Sequence, residues 1–384
     1  MTADAYRRGA DRIAHLAKQG LDVAAFWRQS GEVLNGTVPH YLAPCWFTFD
    51  PVSLLVTSHY DPVIPAISAD FLAHEYGGDD VLKMADVARS KTGTATIHEA
   101  TAGNPSSSEG WRKFVQAYGA EQQLQVALRS RTGVAWGLLA LYREPRQPPF
   151  SPAELAFLGS ISRSLAEGAR RGLLIGDAQD PEEPGAPCLI VLDEDWTVRS
   201  MTAGTETLLA ALPGERDRGA LPACVLAVAG RALRGSDNPR GPGEVAVARV
   251  RGDDGRWLTV HGAPLLQDAG RRVAVIIEQT DPDRLASLLM DVYELTDREK
   301  EISQLVLRGN STAEIASRLY VSEQTVQQHL KNIFDKTGVH SRRELVSKVF
   351  FAHYEPRLRD NEQRAQRGQP IRRGLFGRGA FGRA

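Results

Sequence analysis

Cysteine is scarce in this chain of 384 residues: Cys45, Cys188 and Cys224 stand far apart and are odd in number. That excludes a disulfide framework, and no pair of them has the short spacing of a zinc motif. A reducing compartment, the cytoplasm, is the expected setting. Long apolar runs are also missing, so the sequence offers nothing to span a bilayer, and no membrane partner is expected. Residues 1–10 lack the basic-then-apolar layout of a secretory signal. No Gly-Lys-Ser/Thr follows Gly133 and Gly137, so these glycines form no phosphate loop. Nucleophile elbows, metalloprotease helices and clustered catalytic side chains are absent, so no enzymatic activity, metal or cofactor is expected. An excess of one charge is missing too: Lys and Arg total 46 against 47 Asp and Glu, a net charge of −1. This rules out a uniformly basic coat but leaves open a local surface for nucleic acid, which depends on where the charge sits.

What is present suits globular cores, with 42% hydrophobic residues. At roughly 100–200 residues per domain, the length predicts two or three domains. Two breaks divide the chain, a Pro- and acid-rich stretch at 176–187 and a shorter one at 279–282. The segment 1–176 opens with helical pattern over 5–18 and 21–34, then strand-like runs at 46–50, 124–129 and 133–142. Two leading helices argue against a phospho-acceptor receiver fold, which alternates strands and helices. A capping box of Ser151 and Glu154, with Pro152 in the first turn, starts a helix whose stripe is Leu155, Leu158, Ile161 and Leu165. That stripe fits either the domain's own sheet or a dimer seam.

The segment 188–280 reads as strands at 188–192 and 197–201, helices near 204–212 and 221–233, and strands at 245–251, 256–261 and 272–278. This order is an α+β pattern with an antiparallel sheet. Asp193, Asp195, Asp253 and Asp254 fall in turns, where solvated carboxylates explain them better than metal or catalytic pairs. His261 has no sequence partner that would make it a haem ligand. The tail, 355–384, is Arg- and Gly-rich, is expected to be disordered, and could add sequence-independent affinity for DNA.

The region 291–351 carries the densest set of signals. Capping boxes at Thr296/Glu299, Ser311/Glu314 and Ser341/Glu344, plus a cap at Ser322, start four short helices. Gly309 and Gly338 end the first and third of them. Ile302, Leu305 and Val306, then Ile315, Ala316 and Leu319, then Val326, Leu330 and Ile333 form their apolar faces. The second and third helices make a helix-turn-helix, whose second helix enters the major groove when the motif binds DNA. On the third helix, Thr325, Gln327, Gln328, Lys331 and Asn332 point away from that face. These polar side chains suit base edges, since Gln pairs bidentately with adenine. Lys336, Arg342 and Arg343 suit backbone phosphates. Pattern alone also fits a protein-binding helical bundle.

Residues 295–302, Leu-Thr-Asp-Arg-Glu-Lys-Glu-Ile, and 325–339, Thr-Val-Gln-Gln-His-Leu-Lys-Asn-Ile-Phe-Asp-Lys-Thr-Gly-Val, resemble the LuxR/FixJ-type DNA-binding domain. The resemblance is continuous over 295–349. It implies a bacterial transcription regulator that binds double-stranded DNA through the helix matching 322–336. It also implies a homodimer joined through the helix matching 341–351. Gln327 departs from a family that often has Lys or Arg there, which weakens phosphate attraction at that place; Lys331 matches a basic family position.

Residues 136–143, Trp-Gly-Leu-Leu-Ala-Leu-Tyr-Arg, with 148–154, Pro-Pro-Phe-Ser-Pro-Ala-Glu, resemble a GAF sensor domain over about 1–176. The strand order of 188–280 resembles a PAS domain. The resemblances together imply an α+β multidomain chain: a GAF-like α/β sensor, a PAS-like antiparallel sheet and a C-terminal four-helix module. A small-molecule ligand in the N-terminal domain would then meet Cys45, Trp46, Phe47, Tyr60, His74 and Trp111, although such aromatics serve equally as core. Near Cys45 in sequence there is no Lys, Arg or metal-type partner to activate its thiol.

Overall fold

The computed structural model describes residues 2–62, 67–174, 187–214, 220–237, 246–265, 271–280, 290, 293, 295–307, 309–337, 339–342, 344 and 345. Two helices lead, α1 (Ala3–Leu16) and α2 (Val23–Asn35), capped by the side chains of Thr2 and Asp22. Strands β1 (Cys45–Phe49) and β2 (Val56–Tyr60) follow, then α3 (Ala69–Gly77), α4 (Met84–Arg89), β3 (Thr94–Thr96) and α5 (Ile97–Ala100). Strands β4 (Gln122–Arg129) and β5 (Ala135–Arg143) lead into the long helix α6 (Pro152–Leu174). The antiparallel sheet has the order β2-β1-β5-β4-β3.

The two faces of this sheet are covered differently. On one face α6 packs against β4 and β5, with α1 and α2 against α6. Leu158, Ile161 and Leu165 are buried there and Leu155 is half-buried, so the stripe packs inside its own chain. Trp46 projects to the same side and stacks on Trp27 of α2, ring centroids 4.5 Å apart. Alternation along β1 sends Cys45, Phe47 and Phe49 to the opposite face, into a core shared with Leu72 and Tyr76 of α3. The predicted capping box starts α6: Ser151 N donates to Glu154 at 2.7 Å, and Glu154 N to Ser151 Oγ at 3.3 Å. Glu154 also accepts from buried Arg143, whose guanidinium lies 4.0 Å from the Phe150 ring centroid.

The next segment forms β6 (Cys188–Asp193), β7 (Val198–Met201), α7 (Thr205–Ala211), α8 (Ala223–Asp237), β8 (Val247–Arg251), β9 (Trp257–Leu265) and β10 (Arg272–Gln279). Its sheet, β7-β6-β10-β9-β8, is antiparallel and has the same order of pairing as the first. Burial alternates along β6 and β8, as in a sheet with one covered face, and α8 is the cover. The turn carboxylates are engaged locally: Asp193 pairs with Arg199 and Arg272, and Asp254 with Arg256. His261 meets Glu278 at 3.1 Å across the β9–β10 pair.

Residues 1–177 and 186–279 form one compact unit. Its main apolar core draws on both sheets. Helix α8 lies against α3, where Gly230 lets the backbones approach: a Cβ there would sit 3.3 Å from the Leu72 carbonyl oxygen. Asp50, 1% exposed, receives the Arg249 guanidinium bidentately at 2.9 and 3.0 Å and the Arg249 N–H at 2.8 Å.

The second unit contains α9 (Asp297–Leu307), α10 (Thr312–Leu319) and α11 (Glu323–Thr337). Of the predicted fourth helix, residues 342, 344 and 345 are helical, and Glu344 N donates to Ser341 Oγ at 3.1 Å. Arg343, the rest of that helix and the tail 355–384 lie outside the described residues. Among the described residues no helix is long and apolar enough to cross a membrane.

Candidate nucleic-acid interface

The helix-turn-helix is assembled by its caps. Thr296 N donates to Glu299 at 2.8 Å, and Glu299 N to Thr296 Oγ1 at 3.3 Å. Ser311 and Glu314 repeat the exchange at the start of α10. Ser322 Oγ accepts from Thr325 N at 3.1 Å at the start of α11. Between α10 and α11 the chain reverses at Tyr320, in the left-handed region at φ 54°. Arg298 closes that corner by donating to the Leu319 carbonyl at 2.8 Å.

The apolar faces meet as the periodicity predicts. Ile302, Leu305 and Val306 of α9, Ile315 and Ala316 of α10, and Val326, Leu330 and Ile333 of α11 form one core with Val339 and Leu345. Because 3.6 residues make a turn, burying positions 326, 330 and 333 turns 325, 327, 328, 331 and 332 outward. Thr325, Gln327, Gln328 and Lys331 are exposed and Asn332 is half-buried. Gln328 Nε2 donates to Asn332 Oδ1 at 3.2 Å, and Gln327 Nε2 reaches Thr312 Oγ1 of α10 at 3.4 Å. The row is therefore a pre-ordered polar surface of amide donors and acceptors with one cation.

Two of the basic residues expected at phosphates, Lys336 and Arg342, have partners within the protein. Lys336 is half-buried and pairs with Glu299 of α9. Burial works against the Glu299 charge, but hydrogen bonds from Lys336 and Thr296 outweigh it and hold that carboxyl below the ordinary range. Arg342 donates to the Asn310 carbonyl ahead of α10. Both cations thus tie helices together, and their sequence positions gave no sign of that.

Sequence reasoning missed Tyr320, which is 95% exposed on the corner leading into α11. A tyrosine between Leu319 and Val321, where one helical period ends and the next begins, was the available signal. Its direction followed only from the left-handed backbone.

In the upstream unit the six candidate pocket residues do not converge. Cys45 and Phe47 face the core under α3, whereas Trp46 lies on the opposite face against α2. Tyr60 pairs with Trp46 across β1–β2 and shares its face. Trp111 belongs to a separate cluster with Ile97, Val115 and Ala120. His74 is bonded to Asp80 at 2.8 Å and lies 5.7 Å from the Phe114 ring. A train of rings does connect part of the set: His59 to Phe47 at 5.1 Å, Phe47 to Phe71 at 6.3 Å, and Phe71 to Phe114 at 5.4 Å.

Comparison with known proteins addresses the second unit directly. Residues 293–349 match the family model of bacterial regulatory proteins, luxR family. The nitrate/nitrite response regulator protein homolog of Haemophilus influenzae is 30% identical over 190 residues, covering 41% of this chain and 86% of that one. The spore germination protein GerE of Bacillus subtilis is 44% identical over 52 residues, 14% of this chain and 70% of that one. A solved structure of the Vibrio cholerae VqmA dimer aligns with 43% of this chain and 82% of its own at 17% identity, with a TM-score of 0.20. With the capped helix-turn-helix and its outward polar row in place, the conclusion is that this chain belongs to the luxR family of bacterial regulatory proteins and is a DNA-binding transcriptional regulator.

Proposed function

We propose that α11 reads base edges in the major groove of double-stranded DNA through Thr325, Gln327, Gln328, Lys331 and Asn332. The observation that carries this reading is the split of α11 into a buried stripe, Val326, Leu330 and Ile333, and an exposed polar row. Gln327 and Gln328 supply the paired donor and acceptor that recognise adenine, and Lys331 serves guanine or a phosphate. Arg343 serves the backbone phosphates, joined by Lys336 and Arg342 where the duplex competes with their internal partners. The protein acts as a cytoplasmic homodimer, each copy presenting one α11 to half-sites about one helical turn apart.

The upstream unit serves as the sensor, with a GAF-like domain at 1–176 and a PAS-like domain at 188–280. Each has an antiparallel sheet with a helix-covered face, and a small molecule or partner bound there alters how two copies present α11. The relatives are regulatory proteins, in keeping with a sensing rather than catalytic role for this unit.

The test is in-vitro selection of duplex bound by the full-length protein, followed by binding titrations on the selected site. Lys331→Ala should weaken binding and flatten its dependence on log salt by about one contact's worth. Gln327→Ala and Gln328→Ala should relax base preference by roughly 1–3 kcal/mol at the position each contacts. If all three variants bind as the parent does, α11 is not the reading helix.

A further inference from the structure

The pairing of β1 with β2 sets Trp46 opposite Tyr60 and Phe47 opposite His59, which places Cys45 opposite Asp61, one residue beyond β2. Side chains alternate along each strand, so Cys45, His59 and Asp61 share one face at the edge of the first sheet. Their donor atoms converge: Cys45 Sγ lies 3.1 Å from His59 Nε2, and thiol, imidazole and carboxylate donors all fall within 4.8 Å of one another. Cys45 and Asp61 are buried, His59 is partly so, and the Phe47 ring walls the imidazole at 5.1 Å.

We propose that Cys45 Sγ, His59 Nε2 and the Asp61 carboxylate bind one divalent transition-metal ion of the zinc type, leaving a coordination position open. Donor chemistry selects the class. A thiolate and an imidazole suit a borderline-soft ion, and a carboxylate completes a three-residue set of the kind zinc accepts when its fourth position is kept for water or a small ligand. Tetrahedral bonds of about 2.0–2.3 Å place donor atoms about 3.5 Å apart, so the cluster needs only a small inward movement of its widest pair. A hydrogen-bonded core thiol is the alternative, and the buried Asp61 carboxylate converging on the same point as a third donor argues against it.

Without a cation, burial and the neighbouring Asp61 push the Cys45 thiol well up, while burial pushes His59 down to about 4. The site is then a neutral thiol beside a neutral imidazole. Binding displaces the thiol proton to solvent and forms the metal–sulfur bond, so one proton leaves per ion bound and affinity rises with pH. Tyr142 shares the neighbourhood: burial pushes its phenol up, and the Asp61 carboxylate adds to that. The proposal is independent of how α11 reads DNA.

The probe is cobalt(II), a spectroscopic substitute for zinc, titrated into the metal-free full-length chain. One ion per chain should bind with a thiolate-to-cobalt charge-transfer band and tetrahedral ligand-field bands, and zinc should displace it. Cys45→Ser should abolish the charge-transfer band. Asp61→Asn should weaken binding about 10-fold or more, and Cys188→Ser should leave it intact. Circular dichroism of each variant separates lost binding from lost fold, and the parent spectrum stands even where Cys45→Ser does not fold. A parent chain that binds no cobalt, binds it without the sulfur band, or keeps that band in folded Cys45→Ser overturns the site.

Discussion

Gly168 lies on α6 where Phe26 of α2 crosses it, and a methyl added there would sit 2.0 Å from the Phe26 ring. Phe26 is buried and adjoins Trp27, at 5.1 Å between ring centroids, so the ring has little room to withdraw. Gly168→Ala should therefore lower unfolding stability by about 1–3 kcal/mol, read from the denaturant midpoint of the purified chain. An unchanged midpoint would show that α2 and α6 slide freely. The opposite logic governs the exposed row of α11. Gln328 is exposed and its amide donates to Asn332 at 3.2 Å, so Gln328→Ala should change sequence preference and leave thermal stability within about 0.5 kcal/mol. Such residues are legible in sequence because their surface position follows from helical period alone. Lys336 and Arg342 were not, because their partners Glu299 and Asn310 stand 37 and 32 residues away.

At the scale of elements, α3 and α4 are joined through a buried carboxyl: Glu75 accepts from Met84 N at 2.8 Å. Burial pushes Glu75 up to about 8, opposed by Lys83 and reinforced by Asp86; Arg231 and Tyr76 are the other ionisable groups whose charges act with it. The folded-state value lies above the unfolded one. This contribution to stability is therefore fully present below the ordinary carboxyl value of 4.5 and is lost as pH rises through about 8. Across about pH 5–8 the thermal midpoint of the parent should fall by more than that of Glu75→Gln, and parallel falls would rule the group out. The elements themselves were mostly readable. Helices α9, α10 and α11 announced their starts through Ser or Thr followed by Glu, and β4, β5 and β10 through dense apolar runs. Strand β3, three half-buried residues of Thr and Ala, carries no apolar alternation and shows only as a partner of β4. Strand β2, Val-Thr-Ser-His-Tyr, is an edge strand whose polar residues disguise it, and it supplies His59 to the cluster.

At the scale of the whole upstream unit, two sheets of the same pairing order are fused through a common core and one buried ion pair. Asp50 also accepts from Val52 N and Ser53 N at 2.8 and 3.1 Å, so Arg249 docks onto a carboxylate that a turn already holds in place. Asp50→Ala would leave the Arg249 charge largely buried and unpaired, and should destabilise the unit by about 3–5 kcal/mol. Both sheets should still melt in one transition, because they share apolar residues as well as that pair. Hydrogen exchange that shows one sheet opening at a lower denaturant concentration than the other would contradict the shared core. The amino-acid order by itself determined the caps, the periods and the outward row of α11. These are local properties, set by hydrogen bonds three or four residues apart and by the pitch of the helix. The tertiary structure alone decided that Lys336 and Arg342 bind inward, that the six pocket candidates divide between two faces, that Asp50 finds Arg249, and that Cys45 meets His59 and Asp61. Each of those depends on strand register or helix packing between residues distant in sequence, which spacing along the chain does not encode.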